Sequence, residues 1–229
     1  MWSIELMLTC IPGILNSSDL ERIDGILKDA EFEDGRATAG FRAKRVKENL
    51  QLNSAAPRKK EVNELVENAL KRSTLFRRVA IPRIICPPLI SRYKPGMAYG
   101  AHVDDALMGS DRRVRTDLAV TVFLNEQSEY EGGELMISTS MGDIAVKLPR
   151  GDGVVYPAST IHRVNPIVSG ERIAAVTWVQ SHVREPMQRE LLADLDLLKN
   201  SLNDVNPNDE KTDIAFKIYS NLLRMWADA

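Results

Sequence analysis

Histidine is scarce in this chain. Only His102, His162 and His182 occur in 229 residues, so a histidine-based site has few candidate ligands. Cysteine is scarcer still. Cys10 and Cys86 form no C-x-x-C pair, and two cysteines make no disulfide framework, so a reduced, cytoplasmic compartment is expected. A basic excess is missing as well. The formal net charge is −2, and no nucleic-acid partner is expected. No apolar run reaches the roughly eighteen residues of a membrane span, so none is expected. Met1 to Leu15 is fairly apolar, but Glu5 interrupts it, Pro12-Gly13 breaks it and no basic segment precedes it. A secretory leader is therefore not expected. Internal repeats and low-complexity tracts are absent.

What remains is ordinary in bulk. Apolar residues make up 44% of the chain, enough for a normal core. The length suits one large domain, or one domain with a small appendage. Residues 4–11 read as a strand. Asn16 to Asp19 reads as a helix start, with capping-box spacing at Ser18 and Glu21 and an apolar stripe at Leu20, Ile23 and Leu27. Residues 33–56 are polar and read as loop and short strand. Pro57 opens a second helix, in which Val62, Leu65, Val66, Ala69 and Leu70 recur at helical spacing.

The pattern then changes. From about Pro82 to Gln180, short runs of strand character alternate with turn signals such as Pro95-Gly96, Gly132-Gly133 and Gly151-Asp152-Gly153. The runs are Leu89 to Tyr93, Leu118 to Leu124, Glu134 to Ser138, Ile144 to Leu148, Val154 to Tyr156 and Ile173 to Gln180. Many short strands imply a sandwich, barrel or jelly roll. Glu131 to Glu134 reads as a tight hairpin with its glycines at positive φ. After Gln180 two helices are expected. Leu191, Leu192, Leu195 and Leu198 share a face of the first, and Ile214, Ile218, Leu222 and Met225 align on the second. These stripes suit packing on the β core and self-association into a homo-oligomer equally.

His102-Val103-Asp104 is the first chemical signal. Residues two apart on a strand project to one face, so imidazole and carboxylate can converge on one metal. Alone, H-x-D is weak, since a satisfied polar pair explains it more often. His162, just beyond a turn-and-strand segment, completes a two-His, one-carboxylate set. Such a set leaves one face of an octahedral metal open, as iron(II) oxygenases require, although zinc is also served by three N/O ligands and a water. Arg172 follows ten residues later, at a strand start. A buried guanidinium needs an anion. The choices are a salt bridge to Glu171 or Glu134, or the carboxylate of a ligand, which the nearby metal set favours.

Other residues carry less. His182 reads as packing or surface, Trp178 as core and Asp105 as a solvated acid. Tyr93 and Tyr99 suit a pocket wall and a strand core equally. Arg112-Arg113-Val114-Arg115 is a basic run that reads as a solvated loop, with attraction of an acidic substrate as the sharper alternative.

His102-x-Asp104, His162 and Arg172 on a β core together resemble the iron(II)/2-oxoglutarate dioxygenases. Arg92 to Gly96, Tyr99, Phe123-Leu124-Asn125, Glu131 to Leu135 and Thr177-Trp178 resemble the prolyl-4-hydroxylase-like branch. Within it, Tyr99 to Asp104, Arg115 to Leu118, Lys147-Leu148-Pro149 and Tyr156-Pro157 are similar to the bacterial PKHD-type hydroxylases, and the resemblance spans essentially the whole chain. It implies a mainly β fold with flanking helices: a double-stranded β-helix (jelly-roll) core over 81–181, an N-terminal strand and helices over 1–80, and a C-terminal helical region over 182–229. It implies Fe(2+) on His102, Asp104 and His162, 2-oxoglutarate on Arg172 with Tyr93 and Tyr99 beside it, O2 as co-substrate and L-ascorbate dependence. It further implies hydroxylation of a small-molecule or protein substrate with release of succinate and CO2, and a link to bacterial iron uptake. Some relatives carry a tyrosine where this chain has Phe123, so Tyr93, Tyr99 or Thr121 is expected to supply the hydroxyl beside Arg172. Two other functions compete: a cupin-like metal-dependent hydrolase, and a non-catalytic iron or 2-oxoglutarate sensor.

Overall fold

Short antiparallel strands flanked by helices carry the whole of the architecture. The computed structural model describes residues 8–38, 40, 42–109 and 113–228. The strands are, in chain order, β1 (Thr9–Ile11), β2 (Phe32–Asp34), β3 (Lys47–Glu48), β4 (Leu50–Leu52), β5 (Pro82–Ile85), β6 (Leu89–Tyr93), β7 (Ala98–His102), β8 (Leu107–Met108) and β9 (Val114–Arg115). They continue as β10 (Leu118–Phe123), β11 (Tyr130–Gly132), β12 (Leu135–Thr139), β13 (Gly142–Val146), β14 (Gly153–Pro157), β15 (His162–Val164), β16 (Ile167–Gly170) and β17 (Arg172–Ser181). A large sheet runs β1-β14-β10-β17-β6-β4-β2, with β5 also on β17, and a smaller one runs β13-β12-β15-β7-β3. β10 is buried at every position, as the central strand of a sheet covered on both faces must be.

The two faces of the large sheet have different neighbours. Val120, Val122, Ala175 and Val179 pack outward with Ile23, Val62, Val66, Leu70 and Phe76 from the helices. Ala119, Phe123, Tyr93 and Tyr156 point inward, with Leu135, Ile137 and Val164 of the smaller sheet. The period-two alternation of the strands thus separates a helix-packed core from the barrel interior.

Helix α1 (Ser17–Leu27) begins two residues earlier than its capping-box spacing suggested. Asn16 is the N-cap, accepting from the Asp19 amide at 2.9 Å, while the Asp19 carboxylate accepts from the Asn16 amide at 3.3 Å. Helix α2 (Lys59–Arg72) buries Val62, Leu65, Val66, Ala69 and Leu70, the stripe expected of it. Helix α3 (Thr74–Ala80) was not anticipated; the Ser73 hydroxyl caps it by accepting from the Phe76 amide.

α4 (Pro186–Val205) and α5 (Glu210–Trp226) form the expected C-terminal pair, and the expected faces dock only in part: Leu192 is buried and Leu195 and Leu222 are half-buried. Leu191 and Leu198 are each 54% exposed, and Ile214, Ile218 and Met225 are exposed as well. The buried face of α4 carries Arg189, Leu192, Ala193 and Lys199. Its charges are satisfied internally: Arg189 donates to the Val183 and Arg184 carbonyls, and Lys199 pairs with Asp196 at 2.6 Å. Asp196 also meets Arg78 of α3 at 2.8 Å. A paired charge can be buried where an unpaired one cannot, so Arg189 and Lys199 dock together with Leu192 and Ala193, while Leu191 and Leu198 face out.

Two local expectations are corrected. Residues 131–134 do not form a hairpin: β11 pairs with β16, whereas β12 pairs with β13 and β15. The glycines do take positive φ, 76° at Gly132 and 67° at Gly133, but they pass the chain between sheets. The strand expected over 4–11 lies partly outside the described residues; its described part is β1. Among those residues, no helix is long and apolar enough to cross a membrane.

Candidate metal and co-substrate site

Pairing of β7 with β15 sets His102 directly opposite His162. Cross-strand partners on one face are neighbours, and the two rings lie 4.3 Å apart between centroids. Asp104 follows the end of β7 and is not part of a strand, so the two-residue strand alternation does not extend to it. Inward and outward positions still alternate: Val103 and Asp105 are exposed, while the Asp104 side chain is 8% exposed and Asp104 Oδ1 stands 3.9 Å from His162 Nε2. One ligand atom from each of His102, Asp104 and His162 lies within 4.8 Å of the other two.

The hydrogen bonds behind the triad select its protonation state. His102 Nδ1 lies 2.8 Å from the Gly100 carbonyl and His162 Nδ1 lies 3.0 Å from the Thr160 carbonyl. A carbonyl only accepts, so each Nδ1 carries the proton and each Nε2 keeps its lone pair for the pocket. Burial and the neighbouring His162 push the His102 pKa down to about 3, which keeps that imidazole neutral. Burial pushes the Asp104 carboxyl up, and its Oδ2 is buried with no hydrogen-bond partner. Two imidazole Nε2 atoms turned to the pocket and a buried carboxylate oxygen are a donor set that suits a divalent cation. The site residues therefore fit a metal.

Arg172 opens β17 opposite Tyr93 of β6 and is 1% exposed. Neither acid considered as its partner takes that role. Glu171 faces Arg92 and Lys94, each at 3.8 Å, and Glu134 accepts from Asn165. The Arg172 Nε has no hydrogen-bond partner. Its guanidinium lies 5.4 Å from the Tyr93 ring centre and 5.3 Å from that of Phe123. A buried cation among aromatics, with no acid paired to it among the described residues, suits an incoming anion.

Of the three hydroxyls considered in place of the one absent at Phe123, Tyr93 lies beside Arg172. Tyr99 stacks on His102 at 3.6 Å between centroids, and Thr121 lies toward Tyr156. Tyr130, which sequence reasoning missed, also faces Arg172, although its buried hydroxyl makes no hydrogen bond of good geometry. Gly133 makes room for both: a Cβ there would stand 3.1 Å from Arg172 Cδ and 3.2 Å from Tyr130 Cε2.

His102, Asp104, His162, Arg172, Tyr93 and Tyr99 all line one pocket of about 730 Å³ counting its open mouth. Trp178, expected in the core, lines it too, with its indole N–H toward the Asp104 carboxylate but in no hydrogen bond of good geometry. Asp105 is exposed at the rim, and His182 lies elsewhere, beside the Asp228 carbonyl. Arg115 is committed to Asp117 and Asp228, which removes it from the basic run; Asp111 and Arg112 lie outside the described residues. The segment read as loop and short strand supplies further pocket walls: Thr38, Lys47, Asn49 and Gln51. Burial pushes the Lys47 ammonium down to about 8.

Comparison with known proteins agrees with this geometry. Residues 88–180 match the 2OG-Fe(II) oxygenase superfamily and residues 187–228 match the PKHD-type hydroxylase C-terminal domain. A PKHD-type hydroxylase of Synechococcus sp. (strain JA-2-3B'a(2-13)) is 44% identical over 224 residues, covering 97% of this chain and 100% of the relative. One from Thioalkalivibrio sulfidiphilus is 45% identical over 223 residues, again covering 97% and 100%. Among solved structures, a 2OG-Fe(II) oxygenase family oxidoreductase from Burkholderia pseudomallei superposes with a TM-score of 0.57 at 21% identity, covering 76% of this chain and 85% of that one. A Pseudomonas putida prolyl-4-hydroxylase gives 0.54 at 16% identity, covering 76% and 92%. At such identities the structural likeness speaks for the double-stranded β-helix fold.

Proposed function

The chain belongs to the PKHD-type hydroxylases of the 2OG-Fe(II) oxygenase superfamily, and from that premise we propose that His102, Asp104 and His162 hold its iron and that Arg172 anchors its 2-oxoglutarate. As a member it is a 2-oxoglutarate-dependent dioxygenase that uses O2. The single observation carrying the ligand assignment is the commitment of both Nδ1 atoms to backbone carbonyls, which leaves two Nε2 lone pairs beside an unsatisfied Asp104 oxygen.

When bound, iron(II) with 2-oxoglutarate supplies oxidative decarboxylation coupled to substrate hydroxylation, with release of succinate and CO2. The chain's own contribution is placement. Arg172 binds the distal carboxylate, with Tyr93 beside it, and so fixes how far the keto acid reaches toward the triad. Tyr99 holds the His102 ring by stacking. Phe123, Leu135 and Val164 supply apolar side chains to the interior beside these groups. The sequence units 1–80, 81–181 and 182–229 become, on this reading, a flanking layer, the catalytic barrel and a helical region that packs on it or joins copies of the chain. A small-molecule or protein substrate, ascorbate dependence and a link to iron uptake follow from the family resemblance, and a cytoplasmic setting from the scarcity of cysteine.

The test is anaerobic addition of iron(II) and 2-oxoglutarate, followed by O2. A visible charge-transfer band that needs His102 and Asp104, and succinate formed after O2, are the expected results. Metal-loaded protein giving neither would return the cupin-like hydrolase and the sensor to the front.

A further inference from the structure

Lys47, Asn49 and Gln51 alternate along the strand segment that runs from β3 into β4, and all three are buried while Glu48 between them is exposed. The segment bridges the two sheets. Lys47 pairs with Tyr99 of β7 in the smaller sheet, and Gln51 with Ser91 of β6 in the larger. Its inward side chains thus form a polar row across one wall of the pocket, from the side of the metal triad toward the side of Arg172.

The row is not self-satisfied. Gln51 Oε1 accepts from the Thr38 hydroxyl at 2.6 Å, and Lys47 Nζ donates to that hydroxyl at 3.2 Å. Asn49 is 3% exposed, yet neither its Nδ2 nor its Oδ1 makes a hydrogen bond of good geometry, although the Tyr93 phenol is close by. Lys47 is 5% exposed and lies 5.3 Å from the Tyr99 ring centre. Asp104 and Asp34 act on it through space, and no carboxylate among the described residues pairs with it. A buried ammonium without an anion, and a buried amide with only the Tyr93 phenol close by, are costly unless something else completes them.

The charge balance says what that is. With iron(II) and 2-oxoglutarate in the site, the positive charges of the metal and Arg172 equal the negative charges of the co-substrate and Asp104. Lys47 is then an uncompensated charge lining the pocket among the described residues, since Asp105 sits exposed at the rim. Resting on the functional reading above, we propose that Lys47, Asn49 and Gln51 form the recognition subsite for the primary substrate, and that this substrate carries a carboxylate-class anionic group, placed on Lys47, beside a hydrogen-bonding group that pairs with Asn49. Tyr99 couples the subsite to the metal, because its ring contacts both the ammonium and the His102 imidazole.

The experiment uses full-length protein loaded with zinc(II) in place of iron and saturated with 2-oxoglutarate. Acetate is the probe and acetamide its neutral isostere, each followed by saturation transfer to its methyl signal in NMR. Acetate should give a saturable signal and acetamide should bind at least about ten-fold more weakly, as loss of a charge-assisted hydrogen bond implies. Lys47→Met should weaken acetate by a similar factor, keep 2-oxoglutarate affinity within about two-fold, and leave the thermal midpoint unchanged or raised. A merely structural lysine would instead lower the midpoint on substitution. Equal binding of acetate and acetamide overturns the proposal without any variant. So does acetate binding that survives Lys47→Met, acetate that competes with 2-oxoglutarate, or a Lys47→Met protein that no longer binds 2-oxoglutarate. Wild-type protein that fails to bind 2-oxoglutarate at all overturns the oxygenase reading itself, a result separable from each of these.

Discussion

At the scale of single residues, Arg172 and Tyr130 separate charge from geometry. Arg172→Lys keeps a positive charge but loses the planar fork that matches a carboxylate in two places. Iron binding should persist, because the triad is untouched, while 2-oxoglutarate affinity should fall by about ten-fold or more. Anaerobic titration of the charge-transfer band measures both, and unchanged co-substrate affinity would reduce Arg172 to a structural cation. Tyr130→Phe removes a buried hydroxyl that makes no good hydrogen bond within the protein. Deleting an unsatisfied group should not lower stability. A several-fold loss of 2-oxoglutarate affinity, on the order of 1 kcal/mol, with an unchanged melting point would identify it as the hydroxyl that Phe123 cannot supply. The residue-level chemistry of the triad was legible because residue type suffices: with three histidines in the chain, two of them in a spaced pattern with Asp104 and Arg172, few combinations remain. Lys47 was not legible, because a lysine between Val46 and Glu48 reads as a solvated face, and only the fold buries it.

At the scale of elements, the passage from β11 to β12 shows how backbone shape serves the pocket. A Cβ on Gly132 would stand 2.2 Å from the Pro166 carbonyl oxygen, a backbone atom that cannot swing away. Gly142 also has positive φ, 118°, but nothing lies within 4 Å of its notional Cβ. Gly142→Ala should therefore cost only backbone strain, about 1 kcal/mol. Gly132→Ala should cost about 2–4 kcal/mol, because the clash adds to the strain. Urea denaturation of the two variants measures the difference, and equal costs would show that the chain relaxes freely at Gly132. The same comparison explains what sequence could show of the elements. Leu89–Tyr93 has the bounds expected for it, and β10 and β17 lie within a residue or two of theirs, because long apolar strands announce themselves by composition. The segment over 33–56 is the loop and short strand expected of it, but where its strands lie and which way they face was not legible. Its strands are two or three residues long, are interrupted by 3-10 turns at Gly35–Thr38 and Ala43–Arg45, and point polar side chains inward. Period-two reasoning assumes that the inward residues are apolar. In Lys47-x-Asn49-x-Gln51 the alternation is present but its sign is reversed, which is the signature of a strand facing a polar pocket. The α4 stripe was right only at its Leu192 edge for a related reason, since its docked face mixes Leu192 and Ala193 with the paired charges of Arg189 and Lys199.

At the scale of the whole molecule, one guanidinium joins the barrel to the C-terminal tail. Arg115 donates to both Asp117 carboxylate oxygens at 2.6 and 3.0 Å, to Asp228 at 2.9 Å and to the Ser181 carbonyl at 3.2 Å. Asp117 in turn accepts from the Ser181 amide. The Asp228 amide donates to the His182 carbonyl, and Val183 bridges to Ala227, so the end of β17 and the end of α5 meet at this point. The two acids differ in exposure: the Asp117 side chain is 6% exposed and that of Asp228 is 44% exposed. Magnitudes then rank the bonds. Removing Arg115 strands a buried carboxylate, which costs about 3–5 kcal/mol, whereas an exposed ion pair contributes at most about 1 kcal/mol. Arg115→Ala should accordingly lower the urea midpoint far more than Asp228→Asn, although both break the Arg115–Asp228 ion pair. If Asp228→Asn proved equally damaging, the tail rather than the Asp117 carboxylate would carry the joint, and the helical pair would be essential to the stability of the barrel. If the expected order holds, the barrel holds its own buried charge and the helices rest on it, leaving their exposed leucine and isoleucine faces available without cost to the fold.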